Sequence, residues 1–531
     1  MSDALAGLGL LVAALAAAGA ILLPPGRARA GAMLLALLLF PALILGDQWH
    51  SPQIAALRDD PDRIAVLAAL ALAASATLAY AFGRWPRLVP LAIVAALPFR
   101  VPLESGGDTA NLLVPLYLVI AGGALATALR DSRPAPPSLP AGGADLGDHP
   151  EEAAPAAPAA AGGSRSVTGP AGPTAWLPRV LAAVVVLYAL QAIYSADFSK
   201  GLQDVCFFLV PFGLVYGLLR DVEWDRGLLV AVLWIVALEA VAFVAVGSVE
   251  QLSRSLFWND QVIRSNEFHT YFRVNSIFWD PNIYGRYLAL VAVVAMSALL
   301  WARERRDLAL LTALVGVVWI GLVPTFSQSS FAALLGGLAV LAALRWSVRW
   351  TAAAVAVLAV AGVLVVLLDG GVSTLSPDRL NVDTGGRANL VSGGLHLFAQ
   401  RPVHGYGSGS FPKAYREHID TGDAPVSVSH TEPITIAAEQ GLVGLALYAA
   451  LVLTALWTMA AGLRPSLSAP PARLAVARAA VLASFAALLV HSMAYAGFFE
   501  DPIAWVLLAA AASLAAADHR RVEPCRDTSA A

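Results

Sequence analysis

The sequence predicts an all-α polytopic integral membrane protein of about 15 transmembrane helices, with two folded loops outside the bilayer. Three observations predict it. The 531 residues are 58% hydrophobic and only 13% charged, with a mean hydropathy of +0.69, whereas soluble domains carry about 25% charged residues. Apolar runs of roughly 20 residues recur along the chain, each long enough to cross a ~30 Å hydrocarbon layer as a helix. Two of the long hydrophilic breaks are dense in aromatics, arginine, histidine and turn residues.

Taken in order, the spans are centred near residues 13, 38, 74, 94, 120, 186, 211, 237, 292, 316, 337, 358, 447, 488 and 509. The first five make an N-terminal membrane region, residues 1–130. Ala4 to Leu23 lacks a basic leader and reads as a first span, not as a cleaved signal. Residues 131–174 are rich in Pro, Ala and Gly, and their large aliphatics are Leu139, Leu146 and Val167. That is too few to bury a core, which predicts a disordered linker. Residues 175–517 hold the other ten spans, with long loops at 249–280 and 369–433, and residues 518–531 form a polar tail. Cys206 lies in an apolar run and Cys525 in the tail, so no disulfide joins them.

Arginine placement sets the orientation. If the loops alternate, 21 of the 34 basic residues share one side with the linker and tail. On the other side, the short loops hold only Arg58, Arg63, Arg100 and Lys200; the remaining basic residues sit in or beside the two folded loops. Positive charge marks the cytoplasm, so the linker and tail are expected inside and both folded loops outside.

Outside the membrane there is no nucleotide pool, so a group-transfer enzyme there uses a lipid-linked sugar diphosphate as donor. Such a donor needs cations for its diphosphate, best supplied as bidentate guanidinium forks. The acceptor hydroxyl needs a base of near-neutral pKa. Candidate cations are Arg264, Arg273 and Arg286 in the first loop and Arg379, Arg387 and Arg401 in the second. In FRVNSIFWDPNIYGRYLA, Asp280 is placed to cap a helix with Pro281 at its first position and Asn282 following. For each arginine, snorkelling to lipid headgroups is the competing reading. The nine aromatics between Phe257 and Tyr287 read either as an interfacial belt or as a surface that stacks sugars. GYGSGSF reads as a flexible turn and not as a nucleotide loop, since no strand precedes it and no helix opens from it.

In SHTEPITIAAEQGLVG, Glu432–Pro433 makes a helix start, and Glu439 lies two turns further on roughly the same face. His430 sits just outside, where an imidazole titrates near neutrality; the alternative is a capping or headgroup-contacting histidine. His396, His404, His418 and His430 lack compact ligand spacing, so no metal is expected. Glu239 and His491 are polar residues within apolar runs, each a functional candidate or an interhelical hydrogen bond.

These residues resemble the O-antigen ligase and O-antigen polymerase superfamily of bacterial surface-glycan enzymes. Four stretches carry the likeness in order and spacing across roughly residues 180–510: ALQAIYSADFSKGLQDVCFFLVPFGLVYGLL; FRVNSIFWDPNIYGRYLA; Arg387 through RPVHGYGSGSF; and SHTEPITIAAEQGLVG. The resemblance implies an inverting, metal-independent glycosyltransferase of C-type membrane fold, without cofactor or nucleic acid partner, embedded in the cytoplasmic membrane. It implies an undecaprenyl-diphosphate-linked glycan donor and a glycan or lipid–glycan acceptor, met at the extracytoplasmic face. By match of position, Arg273 and Arg387 hold the donor diphosphate, with Arg286, Arg401 and Asn282 as further substrate contacts. His430 orients or deprotonates the acceptor hydroxyl, and Glu432 and Glu439 complete the catalytic set. Three departures stand out: five extra N-terminal spans, the long linker, and aliphatics around Val391 where the family carries a tryptophan. A transporter of lipid-linked glycans is the alternative, with Glu239 as its main support.

Overall fold

The computed structural model describes residues 3–51, 54–55, 59–105, 108–132, 175–268, 271–370, 381, 386–419, 428–468 and 473–522. The expected linker (from residue 133 to 174) and the end of the tail lie outside them. Twelve of the described helices are long and apolar enough to cross a bilayer, and two shorter apolar stretches, Val348–Ala361 and Pro502–Ala517, accompany them. The chain is a multi-pass membrane protein.

In chain order the helices are α1 (Asp3–Leu22), α2 (Arg27–Asp47), α3 (Pro61–Arg84), α4 (Leu88–Ala96), α5 (Val114–Asp131), α6 (Trp176–Ile193), α7 (Phe198–Leu219), α8 (Arg226–Ser253), α9 (Asp260–Phe268), α10 (Pro281–Trp301), α11 (Arg305–Leu322), α12 (Gln328–Arg345), α13 (Val348–Gly370), α14 (Arg387–Gln400), α15 (Phe411–His418), α16 (Glu432–Ala460), α17 (Leu463–Ser468), α18 (Arg473–Ser492) and α19 (Pro502–Val522). Every expected centre falls within a helix. The run near residue 94 differs from expectation, because α4 has only nine residues. Pro98 cannot continue the helix. The chain then forms two short antiparallel strands, β1 (Val101–Ser105) and β2 (Asp108–Leu112), with Val101 opposite Leu112.

Side-chain caps explain several helix starts. Asp225 accepts from the Leu228 N–H at 2.8 Å to open α8, and Asp280 accepts from the Asn282 N–H at 2.6 Å to open α10. Within α7 a π-helical turn, Val205–Leu209, precedes Pro211. Pro211 has no N–H to offer that turn, and the Phe207 carbonyl instead accepts from Tyr117 Oη of α5 at 2.7 Å.

Helices already in lipid gain little from hydrophobic burial against each other, so close packing of small residues matters more. Buried Ala13, Ala14, Ala17 and Ala20 line α1. Against them lie Gly213 and Gly217 of α7, four residues apart; a Cβ on Gly217 would come within 2.9 Å of the Ala20 carbonyl. One apolar core therefore runs from the N-terminal helices through α6 and α7 to α16, α18 and α19. The N-terminal region is built into the bundle. A second core joins α8, α10, α11 and α12 to Ala483 and Ala487 of α18.

Ion pairs mark the two ends of the bundle. At the end where the linker begins, Arg29 pairs with Asp221, and Arg87 with Asp225 at 2.5 Å. At the opposite end, Arg286 pairs with Asp501 at 3.0 Å. In the membrane interior, Glu239 accepts from Tyr287 Oη at 2.8 Å, an interhelical hydrogen bond between α8 and α10.

The Gly405–Gly409 turn is wedged between helices, not flexible as its composition suggests. The Tyr406 N–H donates to Ala438 O at 3.2 Å, and the Gly407 N–H to Glu439 O at 2.7 Å. On the other side, Ala196 N–H donates to Tyr406 O, and Ser195 Oγ to Ser408 O at 2.8 Å. Gly407 takes φ +97, and a Cβ there would lie 2.3 Å from Ser195 Cα. Only glycine fits that space and that left-handed backbone. Gly441, at φ +64, breaks α16 where the Val403 backbone crosses it.

Candidate active site

Three separate segments meet at the Arg286–Asp501 end of the bundle. The first is the stretch between α8 and α10. Arg254, at φ +56, ends α8. Glu250 is fully buried just before it and gathers the loop: its carboxylate accepts from the N–H groups of Phe257 at 3.4 Å, Asn275 at 3.2 Å and Ser276 at 2.7 Å. Asn266 of α9 then holds the Arg273 backbone from both sides, accepting from its N–H at 3.0 Å and donating to its carbonyl at 2.9 Å. The Arg273 guanidinium is fixed in turn, with Nε donating to Thr325 O at 2.9 Å and Nη2 to Asn282 Oδ1 at 3.1 Å. Among the described residues its Nη1 donates to none.

The second segment brings Arg387. It is the first residue of α14, set by Gly386 at φ +86. Arg387 lies close enough to Arg273 to lower its pKa, after burial as the larger cause and against the pull of Asp280; a guanidinium so perturbed still carries its charge at neutral pH.

His430 supplies the third. Its backbone is left-handed, φ +60, a costly conformation for a non-glycine residue of the kind that clusters at functional sites. Thr431 Oγ1 donates to Met493 O at 3.0 Å, which draws the start of α16 against the end of α18. Burial lowers the His430 pKa below its ordinary 6.5, Arg387 lowers it further, and Asp280 opposes both. His430 thus faces groups from both other segments. Its ring centroid lies 6.3 Å from that of Tyr495, which packs on His491 at 5.7 Å and beneath the Arg286 guanidinium at 5.8 Å.

Arg273, Asn282, Arg387 and His430 are therefore brought together, with Arg286 at their edge. Arg286 is nearly neutralised by its buried partner Asp501, so it differs from the free phosphate clamp expected. Arg401 is not in the group. It sits past the far end of α14, about 20 Å from Arg387 by helical rise, with its guanidinium 4.3 Å over the Tyr406 ring. Arg264 is exposed on α9, and Arg379 lies outside the described residues.

The two glutamates also depart from expectation. Glu432 accepts from the N–H groups of Gly497 at 2.7 Å and Phe498 at 3.1 Å. Glu439 accepts from those of Gly409 and Phe411, both at 3.0 Å. Both side chains are buried and hold loops in place; neither lines an open mouth beside His430. The reason lies in α16 itself: it buries Glu439 under the glycine wedge, a packing partner invisible along the chain.

Asp501 and Tyr495 escaped sequence reading. The signal existed, because FFEDP repeats at α19 the Asp-Pro helix start already recognised at Asp280–Pro281. Asp501 caps that helix, accepting from the Ile503 N–H at 2.9 Å. A cavity of about 790 Å³ lies at the opposite end, lined by Arg29, Arg87, Asp221 and Trp224 among others, and includes none of these groups.

Residues 313–449 match the family model described as O-antigen ligase. The match spans Arg387, His430, Glu432 and Glu439 and stops short of the loop that carries Arg273. No curated protein matches the chain.

Proposed function

We propose that this chain, a member of the O-antigen ligase/polymerase superfamily by residues 313–449, transfers glycan from undecaprenyl diphosphate to a glycan or lipid–glycan acceptor. The reaction belongs at the extracytoplasmic face of the cytoplasmic membrane, and it inverts the anomeric centre without a metal. One observation carries the reading: Arg273 and Arg387 converge with the His430 imidazole from three separate segments.

Arg273 Nη1 and the Arg387 fork hold the diphosphate and offset the charge that grows on it as it leaves. Neutral His430 accepts the proton of the acceptor hydroxyl while that oxygen attacks the anomeric carbon from the side opposite the diphosphate. The new C–O bond forms as the bond to phosphate breaks, and the diphosphate departs with its electron pair. Asn282 orients Arg273. Glu432 and Glu439 are positioning residues that hold the loops from which the reacting groups project.

The test is transfer by purified protein in liposomes supplied with a lipid-linked glycan. New glycosidic product and released undecaprenyl diphosphate are expected, and Arg387→Ala should cut the rate by about 100-fold or more, the scale for removing one donor aimed at developing charge. Movement of labelled lipid across the vesicle with no new bond would replace the enzyme by a transporter.

A pH profile checks the role of His430. A base must be neutral, so kcat/KM should fall as pH drops through the lowered imidazole pKa, with the acid limb below pH 6.5. In Arg387→Gln the imidazole loses a neighbouring positive charge, its pKa rises, and the limb of the residual activity should move to higher pH. A limb that stays put would remove His430 from the proton transfer.

A further inference from the structure

His491 is buried near the end of α18, and its imidazole closes a run of hydroxyl groups that leads back to Arg273. The turn from α11 into α12 reads TFSQSSF, residues 325–331, and Ser327 caps α12 by accepting from the Ser330 N–H at 3.4 Å. Ser327 Oγ lies 2.7 Å from Ser330 Oγ and 3.2 Å from Ser329 Oγ, and Ser329 Oγ lies 3.2 Å from His491 Nε2. At the other end of the run, Ser330 Oγ donates to the Asn282 carbonyl at 3.3 Å. All three serines are buried with the imidazole. Both anchors of Arg273 are tied to this turn. Its Nε donates to Thr325 O at 2.9 Å, and Thr325 Oγ1 accepts from the Ser327 N–H at 3.2 Å. Its Nη2 donates to Oδ1 of Asn282, the residue whose carbonyl ends the hydroxyl run.

Counting hydrogens gives the run a direction. Each serine hydroxyl has one hydrogen to donate. Ser330 gives its hydrogen to Asn282, so Ser327 donates to Ser330, Ser329 to Ser327, and His491 Nε2–H to Ser329. His491 Nδ1 is buried without a partner among the described residues, which fits the bare nitrogen of that tautomer.

We propose that His491 is a positioning residue for the donor side of the site, which holds the Ser327–Ser329–Ser330 cluster and, through Asn282, sets the aim of the Arg273 guanidinium. The inference rests on the glycan-transfer reading above. A buried run with every hydroxyl hydrogen engaged has a single arrangement, and such a network fixes the groups hung from it. A guanidinium that grips phosphate through a planar fork depends on that orientation. The three serines share one turn, and His491 alone reaches the cluster from α18. The imidazole also packs on Tyr495 at 5.7 Å between ring centroids, so a serine variant is needed to separate the hydroxyl run from that ring contact.

The experiment measures initial rates of full-length protein in liposomes with a lipid-linked glycan donor. Ser329→Ala removes the hydroxyl between His491 and Ser327 and leaves the Tyr495 contact in place. It should lower kcat/KM for the donor about tenfold, or about 1.4 kcal/mol, and leave the acceptor KM within about twofold. His491→Leu should do the same. His491→Gln, whose amide N–H stands where Nε2–H stood, should recover most of the rate. The double variant His491→Leu/Ser329→Ala should remain about tenfold down, not the roughly hundredfold of independent losses, because both changes break one run. Parental donor kcat/KM in Ser329→Ala, beside an inactive Arg387→Ala, would overturn this inference and leave the transferase reading intact; that comparison stands even if His491→Leu does not fold. Losses that multiply in the double variant, or a His491→Gln protein no better than His491→Leu, would also overturn it, by reducing His491 to its packing on Tyr495. Full activity in both Arg387→Ala and His430→Ala would instead remove the reading on which it stands.

Discussion

Alanine in place of His430 should lower glycan transfer by about 100-fold or more, within the range for loss of a general base, while the protein remains folded in the membrane. The imidazole faces Arg387 and Asp280 and is kept neutral to lower pH by burial and by Arg387. Of the carboxylates near it, Glu432 is committed to the Gly497 and Phe498 N–H groups and Asp280 accepts from the Asn282 N–H as the cap of α10. Asparagine gives the sharper comparison. It tolerates the left-handed backbone at φ +60 and preserves hydrogen bonding, but cannot accept a proton at neutral pH. His430→Asn should therefore keep the melting temperature of the parent and match His430→Ala in rate. Initial rates with a lipid-linked donor decide it, and near-parental activity in His430→Asn would reduce the imidazole to a structural contact.

Removing the Glu439 carboxylate should have the largest effect on stability. Alanine leaves the Gly409 and Phe411 N–H groups, each bonded at 3.0 Å, without acceptors in a buried place. Each such loss costs about 1–3 kcal/mol, so roughly 2–6 kcal/mol is expected for Glu439→Ala. Glutamine keeps one carbonyl acceptor but turns its amide donors toward the other N–H, so Glu439→Gln should fall between. The glycine wedge is held on its other side by Ser195 and Ala196; loosening it frees the approach of α14, which carries Arg387. Unfolding in mild detergent, followed by temperature and by denaturant, measures the loss. A fully stable Glu439→Ala protein without activity would move this carboxylate from scaffold to chemistry.

Helix positions were legible because lipid imposes one rule, a run of apolar residues long enough to satisfy its own backbone. Twelve of the described helices meet that rule, and the two loops stood out by composition alone. Short α4 was misjudged because hydropathy averages over Pro98 and hides the break. The meeting of Arg273, Arg387 and His430 was legible only through resemblance, since they stand far apart in the chain and nothing local says they touch. Arg286 and Asp501 show the limit well. Each is an ordinary polar residue near a helix start, and their pairing across 214 intervening positions cancels a charge that sequence reading left available.

Sequence alone determined that this chain spans a membrane many times, where its polar segments lie, and which residue types stand near the surface. Tertiary structure decided which charges are cancelled, which carboxylates bind backbone, and which guanidinium groups remain for a ligand. The physical reason is range. Hydropathy and capping act over a few residues, whereas the state of a buried charge depends on whatever the fold sets within a few ångströms of it.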